Sequence, residues 1–166
     1  MNLQLTNKTA VITGGASGIG RAIAKKFAAS GARVCILDLD ATAGEALVNE
    51  IRAEGGQAEA ETCDIGDQAQ VDSVFQRISQ RGKVQILVNS AGVVHIGTLE
   101  STTAQDFERV LRVNVTGMYN CLRACIGHMK ANNNGVILNM ASVSAMAGLS
   151  ERFAYSTSKG AVIAMT

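Results

Sequence analysis

Thr13-Gly14-Gly15-Ala16-Ser17-Gly18-Ile19-Gly20 is the stretch that decides the fold. Before it stands a short apolar run, Lys8 to Thr13 (KTAVIT), which reads as a buried strand. After it, from Gly18 to Ser30, Ile19, Ile23 and Phe27 recur at helical spacing. Gly14, Gly18 and Gly20 can take backbone angles that other residues avoid, and without side chains they let the backbone approach a ligand closely. A helix beginning there offers unpaired N–H groups and the positive end of its dipole to an anion. Strand, glycines and helix in that order predict a cradle for a pyrophosphate. The bland alternative is a glycine-rich turn with no ligand, and the order of the three parts weighs against it.

The pattern continues outward from this loop. Gly31 stops the first helix and Arg33 to Leu37 (RVCIL) is a second strand. A helix follows from Ala43 to Glu54, then a weaker strand from Gln57 to Cys63. Asp67 with Gln70 resembles an N-terminal capping pair for a third helix, which ends at Gly82. Val84 to Val88 is strand four. Thr102 with Gln105 reads as another capping pair, for a helix running toward Met118 and continuing from Tyr119 to Lys130. Gly135 to Asn139 is strand five, and the pattern is helical again from Arg152. Strands alternating with helices imply an α/β fold: a doubly wound, Rossmann-like parallel sheet covered on both faces, in a single domain over residues 1–166.

Composition narrows the function classes. The chain is 47% hydrophobic and 17% charged, too apolar for disorder. Its net charge of +1 is spread without a basic stripe, so no nucleic acid is expected as a partner. No apolar run is long enough to span a membrane, and Met1 to Lys8 lacks a signal-peptide core, so a cytoplasmic location is expected. Cys35 and Cys63 sit in apolar strands, while Cys121 and Cys125 share a helix face with no histidine to complete a metal site. All four read as buried free thiols, and no metal is expected.

In a sheet of this kind ligands bind beyond the carboxyl ends of the strands. Asp38 closes strand two, 18 residues after Gly20. A carboxylate there can accept hydrogen bonds from an adenosine ribose and repels a 2′-phosphate. Leu39 beside it and Ser17 in the loop are not basic, which favours NAD as cofactor over NADP. Capping of the second helix is the competing role, and it suits Asp40 better.

Tyr155-Ser-Thr-Ser-Lys159 sets a tyrosine and a lysine one helical turn apart. A free tyrosine has a pKa of about 10, and a neighbouring ammonium favours the phenolate and lowers it. Such a tyrosine can give a proton to a ketone or take one from an alcohol. Any amphipathic helix can hold this pair by chance. Ser142, in Asn139-Met-Ala-Ser-Val-Ser144, adds a hydroxyl just past strand five, with Ser144 as the weaker substitute. Asn114, between Val113 and Val115, is a poor helix former inside a helix, and its apolar neighbours argue against a solvent-facing role.

The spacing Gly-x-x-x-Gly-x-Gly, with Asn114, Ser142, Tyr155 and Lys159 following in order, resembles the short-chain dehydrogenase/reductase family in its ordinary, non-extended form. The resemblance implies an NAD(H)-dependent oxidoreductase acting on a secondary alcohol or ketone. Asn114, Ser142, Tyr155 and Lys159 would be catalytic, with Asn114 holding a water in a proton relay to the lysine. Gly14, Ser17, Gly18, Ile19, Gly20, Asp38, Asp64, Ile65, Asn89, Ala91, Gly92, Tyr155 and Lys159 would bind the cofactor, Asp64-Ile65 at the adenine ring. Asn89-Ser-Ala-Gly92 departs from the family's Asn-Asn-Ala-Gly at Ser90. Family members continue past the point where this chain ends, so the 166 residues are expected to lack part of the substrate pocket. A homo-oligomer, dimer or tetramer, is also implied. Arg152 could pair with a substrate carboxylate of a hydroxy acid or sugar acid, with a surface arginine as the bland reading. His95 reads as a loop residue exposed near the pocket. A catalytically idle NAD(H) sensor is the alternative function, disfavoured by Tyr155 and Lys159. A sugar-nucleotide epimerase of the extended type is disfavoured by the glycine spacing.

Overall fold

The computed structural model describes residues 4–166. Its five strands, β1 (Thr9–Thr13), β2 (Arg33–Asp38), β3 (Gln57–Thr62), β4 (Val84–Asn89) and β5 (Val136–Asn139), form one sheet in the order β3-β2-β1-β4-β5. Every pairing is parallel. The winding therefore reverses between β1 and β4, and the loops leaving those two strands part to open a crevice.

The alternation of side chains along the strands divides the core in two. On one face Val11, Cys35, Leu37 and Leu87 pack with Val74 and Phe75 of α3 (Gln68–Arg81) and with Cys121 and Cys125 of α5 (Met118–Ala131). On the other, Ile12, Ile36 and Val88 pack with Ala24 and Ala28 of α1 (Gly18–Ala29) and with Leu47 and Ile51 of α2 (Ala41–Ala53). Both faces are covered, as the near-continuous apolar strands require. All four cysteines are free and buried. Burial pushes the Cys63 thiol up to about 11 and the Cys125 thiol up to about 12, which keeps both protonated and unreactive.

The strand with the least apolar sequence, β3, is held by charge. Glu59 and Glu61 project toward one side of it, and Arg33 reaches Glu59 at 2.8 Å, Arg77 reaches Glu61 at 2.7 Å and Arg81 bridges both. Inward-aimed charge on an edge strand also discourages pairing with another chain.

Element starts follow caps. The Asp67–Gln70 pair is as expected: Asp67 Oδ1 accepts from the N–H groups of Ala69 and Gln70, and Gln70 donates back from its side chain. Helix α2 begins at Ala41, before the expected Ala43, because Asp40 caps it by accepting from Ala43 N–H. The Thr102–Gln105 pair is displaced by one residue. Thr103 caps α4 (Ala104–Leu111), its Oγ1 accepting from Asp106 N–H and donating to Asp106 Oδ2. Thr102 instead donates to the Thr98 carbonyl and closes the preceding turn. Between α4 and α5 the chain makes a π-helical turn, Arg112–Gly117.

Thr103→Ala is expected to destabilise the fold by about 1 kcal/mol, and Gln105→Ala to leave it unchanged. Urea unfolding of the two variants against the parent checks both.

Candidate functional site

The crevice is lined where β1, β2 and β4 end. Gly14 is held at φ 61°, and a Cβ there would lie 2.7 Å from the Ala91 Cα. Gly18 has φ 51°, yet nothing comes within 4 Å of where its Cβ would be. Its face is open to a ligand. Ser17 stands at the N-cap of α1 and makes no side-chain capping bond. The first N–H groups of α1 are thus left for an anion. Asp38 Oδ2 accepts from Ala16 N–H at 3.0 Å, so the carboxylate at the end of β2 also holds the loop. Thr13 Oγ1 accepts from the N–H groups of Ser90 and Ala91, both at 3.1 Å, and ties the two loops together.

Two adjoining cavities fill the crevice. One, of about 270 Å³, is bounded by Gly18, Ile19 and Gly20 at one end and by Tyr155 and Lys159 at the other. The second, of about 180 Å³, is bounded by Asp38, Asp64, Ile65 and Val113. Gly14, Ser17, Ala91 and Gly92 belong to both, so the two make one trough.

Tyr155 and Lys159 lie on α6 (Phe153–Ala164). The foot of this helix is pinned to the loop after β4: Glu151 O accepts from Gly97 N–H at 3.0 Å, and Phe153 N–H donates to Gly97 O at 3.1 Å. Glu151 takes a left-handed φ of 53° to do so. The ring of Phe153 stacks on Phe107 of α4, with centroids 5.7 Å apart. Lys159 is 5% exposed, donates from Nζ to Met140 O at 2.6 Å and lies 5.7 Å from the centre of the Tyr155 ring. Burial holds its pKa below the ordinary lysine value.

Asn114 sits in the π-helical turn and is buried. Its Oδ1 accepts from Val93 N–H at 2.8 Å, and its Nδ2 donates to Val93 O and to Ser158 Oγ, each at 2.9 Å. Ser158 passes the link on, donating to the main-chain oxygen of Tyr155 at 2.7 Å. Both amide donors are committed to protein groups, so the side chain braces the site rather than donating to a water. Gly92 fills the gap between the groups: a Cβ there would lie 3.2 Å from Asn114 Oδ1 and 3.8 Å from Lys159 Nζ.

Other expected residues are placed differently. Asn89 does not line the trough. Its side chain turns along the sheet and donates to Asn139 Oδ1 at 2.9 Å, because the register sets the two asparagines side by side. Ser142 is half-buried just past the lining residues Met140 and Ala141 and caps the short turn Val143–Ala145. Its Oγ accepts from Ser144 N–H at 3.2 Å and from Ser144 Oγ at 2.9 Å. His95 is not an exposed loop residue: only 15% of its side chain is accessible, and Nδ1 faces Asp106 at 3.6 Å. The guanidinium of Arg152 folds back on the carbonyl of Glu151. Val94 and Val113, which line the trough, and Thr13, which ties its loops together, are not among the expected site residues. Thr13 was at least legible as the residue opening the glycine loop.

The fold and trough define a dinucleotide-binding α/β protein. Residues 8–166 match the short chain dehydrogenase family, and the chain belongs to it. A subunit of (2S)-[(R)-hydroxy(phenyl)methyl]succinyl-CoA dehydrogenase from Thauera aromatica is 39% identical over 163 residues, 98% of this chain and 65% of that protein. The chain thus spans slightly less than two thirds of that relative's length. Among solved structures, a short chain dehydrogenase/reductase from Burkholderia phymatum in complex with NAD superposes with a TM-score of 0.93 at 34% identity, over 98% of this chain and 58% of that one. A Beutenbergia cavernae structure with bound NADP at low occupancy gives 0.94 at 33% identity, over 100% and 66%. Among the described residues no helix is long and apolar enough to cross a membrane.

Gly18→Ala forces a side chain into a left-handed backbone and into the open face of the loop. It is expected to cost about 1–2 kcal/mol of stability and to weaken NADH binding about tenfold or more. Fluorescence titration of NADH alongside thermal unfolding separates the two effects.

Proposed function

We propose that this protein is an NAD(H)-dependent dehydrogenase/reductase of secondary alcohols and ketones. The observation that carries the reading is that the glycine loop and the Tyr155–Lys159 pair bound the same cavity. Gly14, Ser17, Gly18, Ile19 and Gly20 would hold the pyrophosphate on the unpaired N–H groups of α1, Asp38 the adenosine ribose, and Asp64 and Ile65 the adenine. The chemistry a bound nicotinamide supplies is hydride exchange with the carbinol carbon.

The chain's own groups handle the proton. In oxidation the phenolate oxygen of Tyr155 takes the alcohol proton, and in reduction the phenol returns one to the carbonyl oxygen. Lys159 Nζ, 5.7 Å from the centre of the Tyr155 ring, is the cation beside it. Burial makes that ammonium readier to release a proton in turn. Both lone pairs of the Ser142 hydroxyl are engaged by Ser144, so its own proton is the part left to offer a substrate oxygen. Asn114 and Ser158 fix the turn of α6 from which Tyr155 projects.

NAD is favoured over NADP by charge. Asp38 and Asp64 are the charged residues lining the second cavity, and no lysine, arginine or histidine lines it. Asp64 is offset by its ion pair with Arg112, so a 2′-phosphate would meet its repulsion at Asp38, with no cation among the described residues lining the cavity. The dehydrogenase names of relatives support the reaction class.

Tyr155→Phe is expected to lower turnover by about 10²–10⁴-fold while leaving NADH affinity within about twofold. A screen of secondary alcohols and hydroxy acids, followed by NADH absorbance, tests this, and turnover that survives in Tyr155→Phe removes the mechanism. The parent should bind NADH at least about tenfold more tightly than NADPH. Asp38→Ala, which removes the carboxylate and also frees Ala16 N–H, should narrow that gap by weakening NADH more than NADPH, and equal affinities in the parent would refute the cofactor assignment.

A further inference from the structure

Asp64 and Ile65 form part of the wall of the second cavity, and the support for the segment Asp64–Gly66 comes from a single helical face 48 residues or more further along the chain. Arg112 Nη2 donates to Asp64 Oδ2, closing an ion pair across that separation. The Arg112 side chain packs against Gly66: a Cβ there would be 2.9 Å from Arg112 Cζ and 3.0 Å from Nε. Gly66 N–H in turn donates to the other carboxylate oxygen, Asp64 Oδ1, at 2.9 Å. One turn on, Gly117 packs so closely on Ile65 that a Cβ would come within 2.6 Å of Ile65 Cγ1. Asn120 Nδ2 then donates to Ile65 O at 2.9 Å in a buried contact.

Arg112 and Gly117 are five residues apart. A regular α-helix brings residues three and four apart together. The intervening π-helical turn, with its i→i+5 closure, allows both to face the same segment. The same turn sends Asn114 to Val93 and Ser158.

We infer that Arg112 is a positioning residue that sets Asp64 as an acceptor for the exocyclic amine of a 6-aminopurine, and so makes the cavity selective for adenine over a 6-oxopurine. The inference rests on the reading above that this cavity takes the adenine end of NAD. A free carboxylate on an exposed loop rotates and hydrates. Here one oxygen is held by Arg112 and the other by Gly66 N–H, so the plane of the group is fixed before any base arrives. What remains on each oxygen is a lone pair that can accept but not donate. An aminopurine meets it with an N–H group, whereas a 6-oxopurine meets it with a carbonyl oxygen, so that lone pair faces lone pair. The charge of Arg112 also offsets that of Asp64. Arg112 itself is half exposed and does not line the cavity, so it acts through Asp64.

The test compares the affinities of NADH and reduced nicotinamide hypoxanthine dinucleotide by fluorescence titration, with reduced nicotinamide mononucleotide as a probe lacking the base. The parent is expected to prefer NADH by about tenfold. Arg112→Ala should bring that ratio to about one by weakening NADH, with the hypoxanthine dinucleotide and the mononucleotide unchanged within about twofold. Arg112→Lys, which keeps the charge, should restore part of the preference. Gly66→Ala, which displaces the guanidinium from the opposite side, should lose it as Arg112→Ala does. A ratio unchanged in Arg112→Ala overturns the proposal, and so does a parallel loss for all three ligands, which would mark a merely structural residue. If the parent bound the mononucleotide and both dinucleotides alike, the adenine assignment of the cavity would fall and the role of Arg112 with it, whereas equal affinities for the two dinucleotides, both above that of the mononucleotide, would overturn the role of Arg112 alone. If the parent bound no NADH, the cofactor reading would fall and this inference with it.

Discussion

At the point where the sheet reverses its winding, the backbones leaving β1 and β4 run so close that Gly14 has no room for a side chain against Ala91. The Thr13 hydroxyl, accepting two N–H groups from the neighbouring loop, holds them there. The rest of the site depends on that approach. Gly14 and Ala91 are walls of both cavities, so any widening of the gap would change the shape of both. The constraint is geometric, and it explains why a glycine follows Thr13 more directly than any demand for a positive φ alone.

The second support is the long helical arm from α4 to α5 with its π turn. The loop after β4 leaves the sheet, and the main-chain groups of Val93 lose their strand partners. Asn114 replaces both at once, accepting from the N–H and donating to the carbonyl. A buried main-chain group left without a partner costs as much as a lost hydrogen bond. Removing this amide would therefore release the loop that carries Val94 and also the turn of α6 below Tyr155. Lys159 shows the opposite balance. A buried ammonium held by one carbonyl opposes stability, and the proposed proton chemistry, rather than packing, would account for its place in the cavity wall.

Local signals were the legible ones. The glycine loop, the apolar strands, the Asp67 cap and the Tyr155–Lys159 spacing all depend on residues a few positions apart, and the structure places them as expected. The misses came from choices that neighbours in sequence do not decide. Two threonines stood side by side, and Thr103 became the cap because Thr102 was taken by the Thr98 carbonyl. Asn89 was expected at the cofactor only through the resemblance, and its side chain follows the β4–β5 register, which sets it opposite Asn139. Strand β3 read as weak because its stability lies in arginines from β2 and α3 rather than in its own apolar pattern. Nothing near Asn114 announces a π turn, since the turn answers to contacts with Val93, Ser158 and Ile65, which are remote in sequence.

The charged groups of the trough follow one design. Lys159 is the charged residue lining the first cavity, and Asp38 and Asp64 are those lining the second. Between them the anion site of the proposed reading is made of main-chain N–H groups alone. Each carboxylate is already engaged by the protein, Asp38 by Ala16 N–H and Asp64 by Gly66 N–H and Arg112. Neither has to be ordered when a ligand enters, which removes part of the entropic cost of binding. It also means that neither is a free variable for changing cofactor preference. Replacing Asp38 loosens the glycine loop as well as removing a charge, so a switch toward a phosphorylated cofactor would need a new partner for Ala16 N–H together with a new cation at the cavity wall.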